Sequence, residues 1–477
     1  MAPPGSDLPM KMEFDSANGS LTHQLAEHIR DMVKTQKLTA GDRLPSTRVL
    51  ASELKLARGT VTSAIELLMA EGLIETRIGA GTFIANDASL LQTKEPSLQR
   101  ENNTAFNQIP EADIDPILPG VVDFRPCRPS LEGFPVQAWR RCLSLAASSA
   151  LNPDYGDPLG DHCLRAAISL YLKRARGLVT DPDEIIITNG SVHAMHLLAH
   201  VYLSSRSTVF FEDPGYPLAR QTFAMSGADL VSCAIDDDGI VVDALPTRTA
   251  PSSLVYVTPS HQFPTGGRLS LRRRYDLCAW AERQDTLIVE DDYDGEYRYD
   301  VPPLAPLASF DRNRVVYCGT FSKTMFPGLR IGFAVAPKPV VGAMARYRTM
   351  TEYAPSAHTQ HALASFIRDG HYERHIHRMR RIYRKKRKFV VEYLGNSMCS
   401  ASLVGLDSGL NGLLNVETGR SIEDVCQELR RDGVLLPPLS RYCVGDVLSA
   451  NQAVIGYAAP SLSDIECGLD SLVRAVR

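Results

Sequence analysis

The sequence lacks several features, each of which would have fixed a class of protein. No apolar stretch in its 477 residues is long enough to cross a bilayer, which argues against an integral membrane protein. The opening residues, MAPPGSDLPMKMEF, lack the apolar core of a secretory signal. No CxxC pair or metal-ligand spacing organises the ten cysteines. Scattered thiols of that kind suit a reducing cytosol, so a cytoplasmic protein with neither disulfide framework nor zinc site is expected. Charge of one sign is scarce too: a formal net charge of −4 argues against a wholesale polyanion binder. Length is what the chain does have, more than one ordinary core accommodates, and it predicts two or more domains.

Residues 16–86 read as the first unit. In SLTHQLAEHIRDMV, Ser20 caps a helix that places Leu21, Leu25, Ile29 and Val33 on one face. GDRLPSTRVLASEL reads as a Gly-containing turn and a second helix opened by Pro45 and Ser46. TVTSAIELLMAEG reads as a third helix with Val61, Ala64, Ile65 and Leu68 on one face and Thr62 on the other. LIETRIGAGTFIA reads as two short strands around a Gly-rich tip containing Gly79. Three helices and a hairpin predict a winged helix-turn-helix, with the N-terminal end of its third helix turned to a DNA major groove. Arg43, Arg48, Lys55 and Arg58 gather before and at the start of that helix, where phosphates and base edges would lie.

Residues 87–119 lose periodicity and predict a flexible linker. From 120 to 477, apolar runs such as EIIITNG, STVFFEDPGY, SSLVYVTP, TLIVEDDYD and RVVYCGTFSK alternate with helical patterns. That alternation predicts an α/β domain with a mostly parallel sheet, followed by a smaller C-terminal α/β subdomain. Ligands in such folds sit beyond the carboxyl ends of the strands, the place where Ser191, Asp291, Tyr293 and Lys323 recur.

Those residue types together suit pyridoxal phosphate. Lys323 offers the amine for a Schiff base with an aldehyde. Asp291 offers the carboxylate that keeps a pyridine nitrogen protonated, and Tyr293 a partner for the phenolic oxygen. Ser191, opening a helix, with Thr320, Ser322 and Arg330 around the lysine, offers a phosphate cradle. Taken singly, EDDYD also reads as a solvated turn and Ser191 as a plain helix cap.

Two phrases in the first unit, GDRLPSTRVLASEL and GAGTF, carry a family resemblance. So do YGDPLGDHCLRAAISLYLKRARG, FEDPGYP, SHQFPTG, VEDDYDGEYRY and GTFSKTMFPGLRIG in the second. Nearly the whole chain resembles the MocR subfamily of GntR-type bacterial transcription regulators, which fuse a winged helix-turn-helix to a fold-type-I aminotransferase-like domain. The resemblance implies that Lys323 is the internal-aldimine lysine and Asp291 the pyridinium partner, with Tyr293 near the phenolic oxygen and Tyr216 stacked on the ring. It assigns the phosphate to Arg330, Ser191, Thr320 and Ser322, with Tyr155 reaching a phosphate across a dimer interface. It places Arg48, Arg58 and Thr60 on DNA, with Gly79 at the wing. Arg441, and more weakly Arg128, fall where an effector's anionic group would be held.

The implied function is a cytoplasmic regulator that senses a small amino compound by aldimine formation and binds double-stranded operator DNA as a domain-swapped, head-to-tail homodimer. The alternative is a working aminotransferase that carries a DNA reader. Three departures bear on that choice: Phe263 stands where many transaminases have asparagine, Cys127 where glycine is usual and Val192 where glutamine is common. Phe263 and the DNA reader favour the sensor. HYERHIHRMRRIYRKKRKFV reads first as a long solvated helix and second as an auxiliary DNA contact.

Overall fold

The computed structural model describes residues 19–77, 79–88, 120–148, 153–299, 304–397, 401–445 and 451–476. The chain separates into two compact units, one within residues 1–110 and one within 111–477. Most of the expected linker, residues 89–119, lies outside the described residues.

The first unit runs α1 (Leu21–Lys34), β1 (Arg43–Leu44), α2 (Thr47–Glu53), α3 (Arg58–Ala70), β2 (Ile74–Arg77) and β3 (Gly81–Ile84). Ser20 accepts a hydrogen bond from the Thr22 amide and Ser46 one from the Val49 amide, so both predicted caps form. Each is worth about 1 kcal/mol. Leu25, Ile29 and Val33 of α1 pack on Val61, Ala64, Ile65 and Leu68 of α3 around one small core. Ala88, two residues beyond the expected boundary, is buried in that core. The hairpin β2–β3 gains a third strand that the sequence reading missed, because β1 pairs antiparallel with β3. Two residues are too few for a periodic signal.

The second unit begins with β4 (Val122–Asp123), α4 (Val136–Ala147) and α5 (His162–Arg176). It continues through β5 (Ile185–Thr188), α6 (Ser191–Tyr202), β6 (Thr208–Asp213), α7 (Pro217–Ala224), β7 (Asp229–Asp236) and β8 (Gly239–Ile240). Then come β9 (Leu254–Val257), α8 (Leu271–Gln284), β10 (Leu287–Asp292), β11 (Val315–Thr320) and β12 (Gly332–Val335). Helices α9 (Lys338–Thr351), α10 (Ala357–Arg368) and α11 (His371–Ser397) follow. The chain closes with β13 (Ala401–Val404), β14 (Asn411–Val416), α12 (Ile422–Arg431), β15 (Val434–Leu435), β16 (Gln452–Gly456) and α13 (Leu462–Val476).

Eight strands make one sheet in the order β5-β12-β11-β10-β9-β6-β7-β8, parallel except for β12 and β8. Its central strands are buried on both faces, as unbroken apolar runs require. Ile288, Val255 and Val257 pack into one core with α5, α10 and α11, while Val289, Tyr256 and Val316 pack into a second with α6 and α7. A smaller sheet, β13-β14-β16, forms the C-terminal subdomain with α12 and α13.

The basic block lies on α11, and three of its cations are internal fasteners. Arg380 donates to the Glu296 carbonyl, Arg384 to that of Tyr299 and Lys386 to that of Ala458. With Tyr372, Ile376, Met379, Tyr383 and Val390 buried at helical spacing, α11 holds the unit together, and these three cations are already engaged.

Candidate functional site

Beyond the carboxyl ends of β6, β9, β10 and β11 lies a cavity of about 680 Å3. Lys323 and Asp291 border it, as do Tyr293, Tyr216 and Arg330. Ser191, Thr320 and Ser322 border it too, and so do Arg128 and Arg441. The fold therefore brings together every candidate cofactor and effector residue except Tyr155. That tyrosine is exposed, its ring stacked on Tyr353 with centroids 4.3 Å apart.

Asp291 sits at the end of β10. Successive strand residues face opposite sides, so Asp291 joins Val289 on the α6–α7 side. Tyr256 of β9 is registered with Val289, and its hydroxyl donates to Asp291 Oδ2 at 2.8 Å. The other oxygen, Oδ1, is buried without a hydrogen-bond partner. Burial pushes the Asp291 carboxyl up to about 6, against the pull of Tyr256 and Lys323. Glu290, Asp291 and Asp292 are all buried, so the acidic cluster is not a solvated turn. Glu290 instead accepts the Leu307 and Ala308 amides, and Asp292 takes the Arg176 guanidinium and the Tyr317 hydroxyl. Removing one partner from a buried pair such as Arg176–Asp292 costs about 3–5 kcal/mol.

Lys323 lies in the turn after β11. Tyr297 donates to its backbone carbonyl at 3.3 Å and Tyr372 to the next side chain, Thr324, at 3.0 Å. These bonds fix the turn while leaving the amine at the cavity. Ser191 is the first residue of α6, whose cap, Gly190, has φ +90° and no side chain to satisfy the open amides. The Arg330 guanidinium lies across that end, donating to the Asn189 carbonyl at 2.6 Å. A Cβ on Gly190 would stand 3.3 Å from it. An open helix N-terminus faced by a guanidinium forms an anion cradle.

Phe263 is the hub of an aromatic wall. Its ring meets Tyr216, Tyr293 and Tyr442 edge-on at 5.5, 5.9 and 5.2 Å. Arg441 lies in a short turn, Leu439–Tyr442, that is tied to the turn beneath Tyr216. The Gly215 amide donates to the Tyr442 carbonyl at 2.9 Å, and the Val444 amide to Asp213 Oδ1 at 3.0 Å. Arg128 pairs with Asp123 at 3.3 Å, a carboxylate already gripped by Arg125. Cys127 and Val192 also border the cavity, and burial pushes the Cys127 thiol up. Among the cavity residues that escaped the sequence reading are Tyr256 and Arg220. Tyr256 is masked by an apolar run, where the lone hydroxyl-bearing residue of LVYV is the available signal. Arg220, on α7, has no motif at all.

In the first unit, Arg43, Arg48 and Arg58 are exposed while Thr60 and Thr62 are partly covered. Thr62 Oγ1 donates back to the Arg58 carbonyl at 2.9 Å. Helix α3 starts at Arg58, and its cap Ala57 supplies no side-chain acceptor, so the first amides stay open. Gly79 and Gly81 take φ of +76° and +116° at the wing tip. The Arg43 guanidinium packs so closely that a Cβ on Gly81 would come within 2.9 Å of it. Arg77 lies over the Phe83 ring at 4.8 Å. Among the described residues no helix is long and apolar enough to cross a membrane.

Residues 21–84 match the family of bacterial regulatory proteins, gntR family, and residues 128–448 match Aminotransferase class I and II. The chain is 33% identical over 470 residues to the probable rhizopine catabolism regulatory protein MocR of Rhizobium meliloti, covering 96% of this chain and 94% of that protein. It is 33% identical over 454 residues to the pyridoxine biosynthesis transcriptional regulator PdxR of Corynebacterium glutamicum, covering 95% of each. The second unit is similar to LysN, the α-aminoadipate aminotransferase of Thermus thermophilus. There the TM-score is 0.70 at 25% identity, over 78% of this chain and 96% of that one. A helix-turn-helix joined to an aminotransferase fold, over nearly the full length of such relatives, places the chain in the MocR subfamily of GntR-type transcription regulators.

Proposed function

We propose that the aminotransferase-like unit binds pyridoxal phosphate and uses it to sense a small amino compound, whose binding changes how the regulator engages operator DNA. The observation that carries this is the buried, partnerless Oδ1 of Asp291 at a cavity that also holds a lysine amine. A protonated pyridine nitrogen is the partner such an oxygen lacks, and it would hold the carboxylate ionised against its burial. The anion cradle at Gly190, Ser191 and Arg330 suits the phosphate, with Thr320 and Ser322 beside it. The donor set therefore fits the cofactor.

Pyridoxal phosphate supplies, when bound, an aldehyde that condenses with amines and a ring that accepts electrons. Lys323 would provide the amine that anchors it. Asp291 would keep the ring nitrogen protonated, with Tyr216 held for a face of the ring and Tyr293 for its phenolic oxygen. Arg441 and Arg128 hold the effector's anionic group. Arg43, Arg48, Arg58, Thr60, Thr62 and Gly79 form the DNA-facing surface of each reader. The regulator works in the cytoplasm as a head-to-tail homodimer, Tyr155 completing the partner's cradle, and its operator holds two half-sites. For the effector to act, it must bind two arrangements of the dimer with different affinity.

The test is a visible-absorbance titration of purified protein with a panel of amino compounds, followed by a 2-oxo acid, alongside DNA binding. The expected result is a persistent spectral change with one class of compound, altered DNA affinity in its presence, and neither effect in Lys323→Ala. Repeated cycling of the spectrum by amine and 2-oxo acid would instead make the chain an aminotransferase first.

A further inference from the structure

His261 and Asp294 lie behind Tyr293, each only 1% exposed. The hydrogen-bond partners around the imidazole bear on its protonation. Nε2 lies 3.1 Å from the Gly405 carbonyl oxygen, which only accepts, so Nε2 carries a proton. Nδ1 lies 3.0 Å from Asp294 Oδ2 and 2.8 Å from the Tyr293 hydroxyl. A bare lone pair on Nδ1 would face a carboxylate oxygen at hydrogen-bonding distance with no proton between them. Asp294 Oδ2 also takes the Leu410 amide at 3.1 Å, which marks it as an acceptor. This arrangement fits a doubly protonated imidazole whose Nδ1–H is shared between Asp294 and the Tyr293 oxygen. Burial works to lower the imidazole's pKa, but Asp294 and the Gly405 carbonyl carry it above its ordinary value, with Arg298 the cation set against them.

The geometry leaves the ring no freedom to turn away. A Cβ on Gly409 would sit 2.2 Å from His261 Cε1, so the backbone of the segment between β13 and β14 is pressed against the imidazole edge. The Tyr293 oxygen, accepting from His261 on its inner side, keeps its own proton for a third partner, and Tyr293 borders the cavity.

We propose that His261 is the positioning residue for Tyr293. Paired with Asp294, it makes the tyrosine oxygen an acceptor on the protein side and so aims the hydroxyl proton into the cavity, at the anionic ring oxygen of pyridoxal phosphate. A neutral histidine there would take the tyrosine's proton for itself and leave the ring oxygen without that donor. This rests on the cofactor reading above.

The test loads full-length protein with pyridoxal phosphate and records the midpoint of its pH-dependent visible absorbance change. The proteins compared are wild type, Tyr293→Phe, His261→Gln, Asp294→Asn and the Tyr293→Phe/His261→Gln pair. A donor to the anionic oxygen lowers the midpoint, so its loss raises it, by about one pH unit for a charge-assisted bond. His261→Gln and Asp294→Asn should each raise the midpoint, and the paired variant no further than Tyr293→Phe alone. The affinity of each apo-protein for the cofactor, read by fluorescence, should weaken in step, about tenfold at most. His261→Gln and Asp294→Asn break the pair from opposite ends, so either one that folds is decisive. A shifted Tyr293→Phe beside an unmoved His261→Gln or Asp294→Asn would overturn the role of His261 and leave the cofactor reading standing. Additive shifts in the paired variant would overturn it too. A wild type with no visible band would overturn the cofactor reading, and this inference with it.

Discussion

The Tyr256 hydroxyl donates to one oxygen of Asp291 at 2.8 Å while the other oxygen, equally buried, has no partner. The two strands β9 and β10 thus deliver a carboxylate that is half satisfied. Tyr256→Phe removes the one donor and so raises the carboxyl's pKa further, making it a poorer partner for a protonated ring. Losing a hydrogen bond to a charged group costs about 1.5–3 kcal/mol. We expect cofactor binding to weaken at least tenfold, measured by titrating apo-protein with pyridoxal phosphate, with a parallel loss of stability in urea.

Asp291 itself makes the stability of the apo-protein depend on pH. Its folded-state carboxyl is pushed up to about 6 by burial, so the folded chain holds a proton that the unfolded chain has released. That contribution is present below about pH 4 and is lost as pH rises through about 6. Wild type should therefore lose on the order of 2–3 kcal/mol relative to Asp291→Asn between pH 4 and 7. Glu212, pushed up to about 7 by burial and raised further by Asp291, adds in the same direction. His193 and His375, both lowered to about 4 by burial, act in the opposite sense but are common to both proteins. Urea unfolding of the two apo-proteins across this range is the measurement. Loading the cofactor should close the difference.

Gly190→Ala probes the anion cradle. The residue has φ +90°, and its Cβ would stand 3.3 Å from the Arg330 guanidinium. We expect a loss of about 1–2 kcal/mol from backbone strain and a displaced Arg330, with cofactor affinity reduced about tenfold. Gly395→Ala is the control: it lies within α11 with nothing near its Cβ and should stabilise by about 0.5–1 kcal/mol.

At the DNA reader, Arg48→Ala should weaken binding of an operator fragment evenly across sequence variants. It should also lower the slope of log affinity against log salt by about 1, the signature of one phosphate contact. Arg58→Ala, at the open end of α3, should cost about 1–3 kcal/mol and relax base preference at one position of each half-site. Fluorescence anisotropy at several salt concentrations distinguishes the two.

Lys323, Asp291 and Arg330 were legible in the sequence because each stands at the edge of an unbroken apolar run, where a charged residue breaks the pattern. The parallel sheet was legible from the same runs. Tyr256 was not, because a tyrosine satisfies the strand pattern and only the register β9–β10 shows it beside Asp291. The pairing of His261 with Asp294 spans 33 residues, and Gly405 lies 144 residues from His261, so no local pattern predicts either. The basic stretch on α11 reads from its sequence as a long solvated helix, and it is a helix. Composition marks its charge, but only packing shows that Arg380, Arg384 and Lys386 are spent on carbonyls.

The turn that carries Arg441 is stitched to the turn that carries Tyr216, by Gly215 to Tyr442 and by Val444 to Asp213. One backbone bond and one bond to a side-chain carboxylate join the two walls as a single lever. If Arg441 holds the effector, as proposed, a ligand drawing it inward would load the segment beneath the Tyr216 ring at the same moment, so that grip on the effector's tail and pressure on the ring face would arrive as one event. An effector too short to reach Arg441 would react at the lysine yet leave that lever slack.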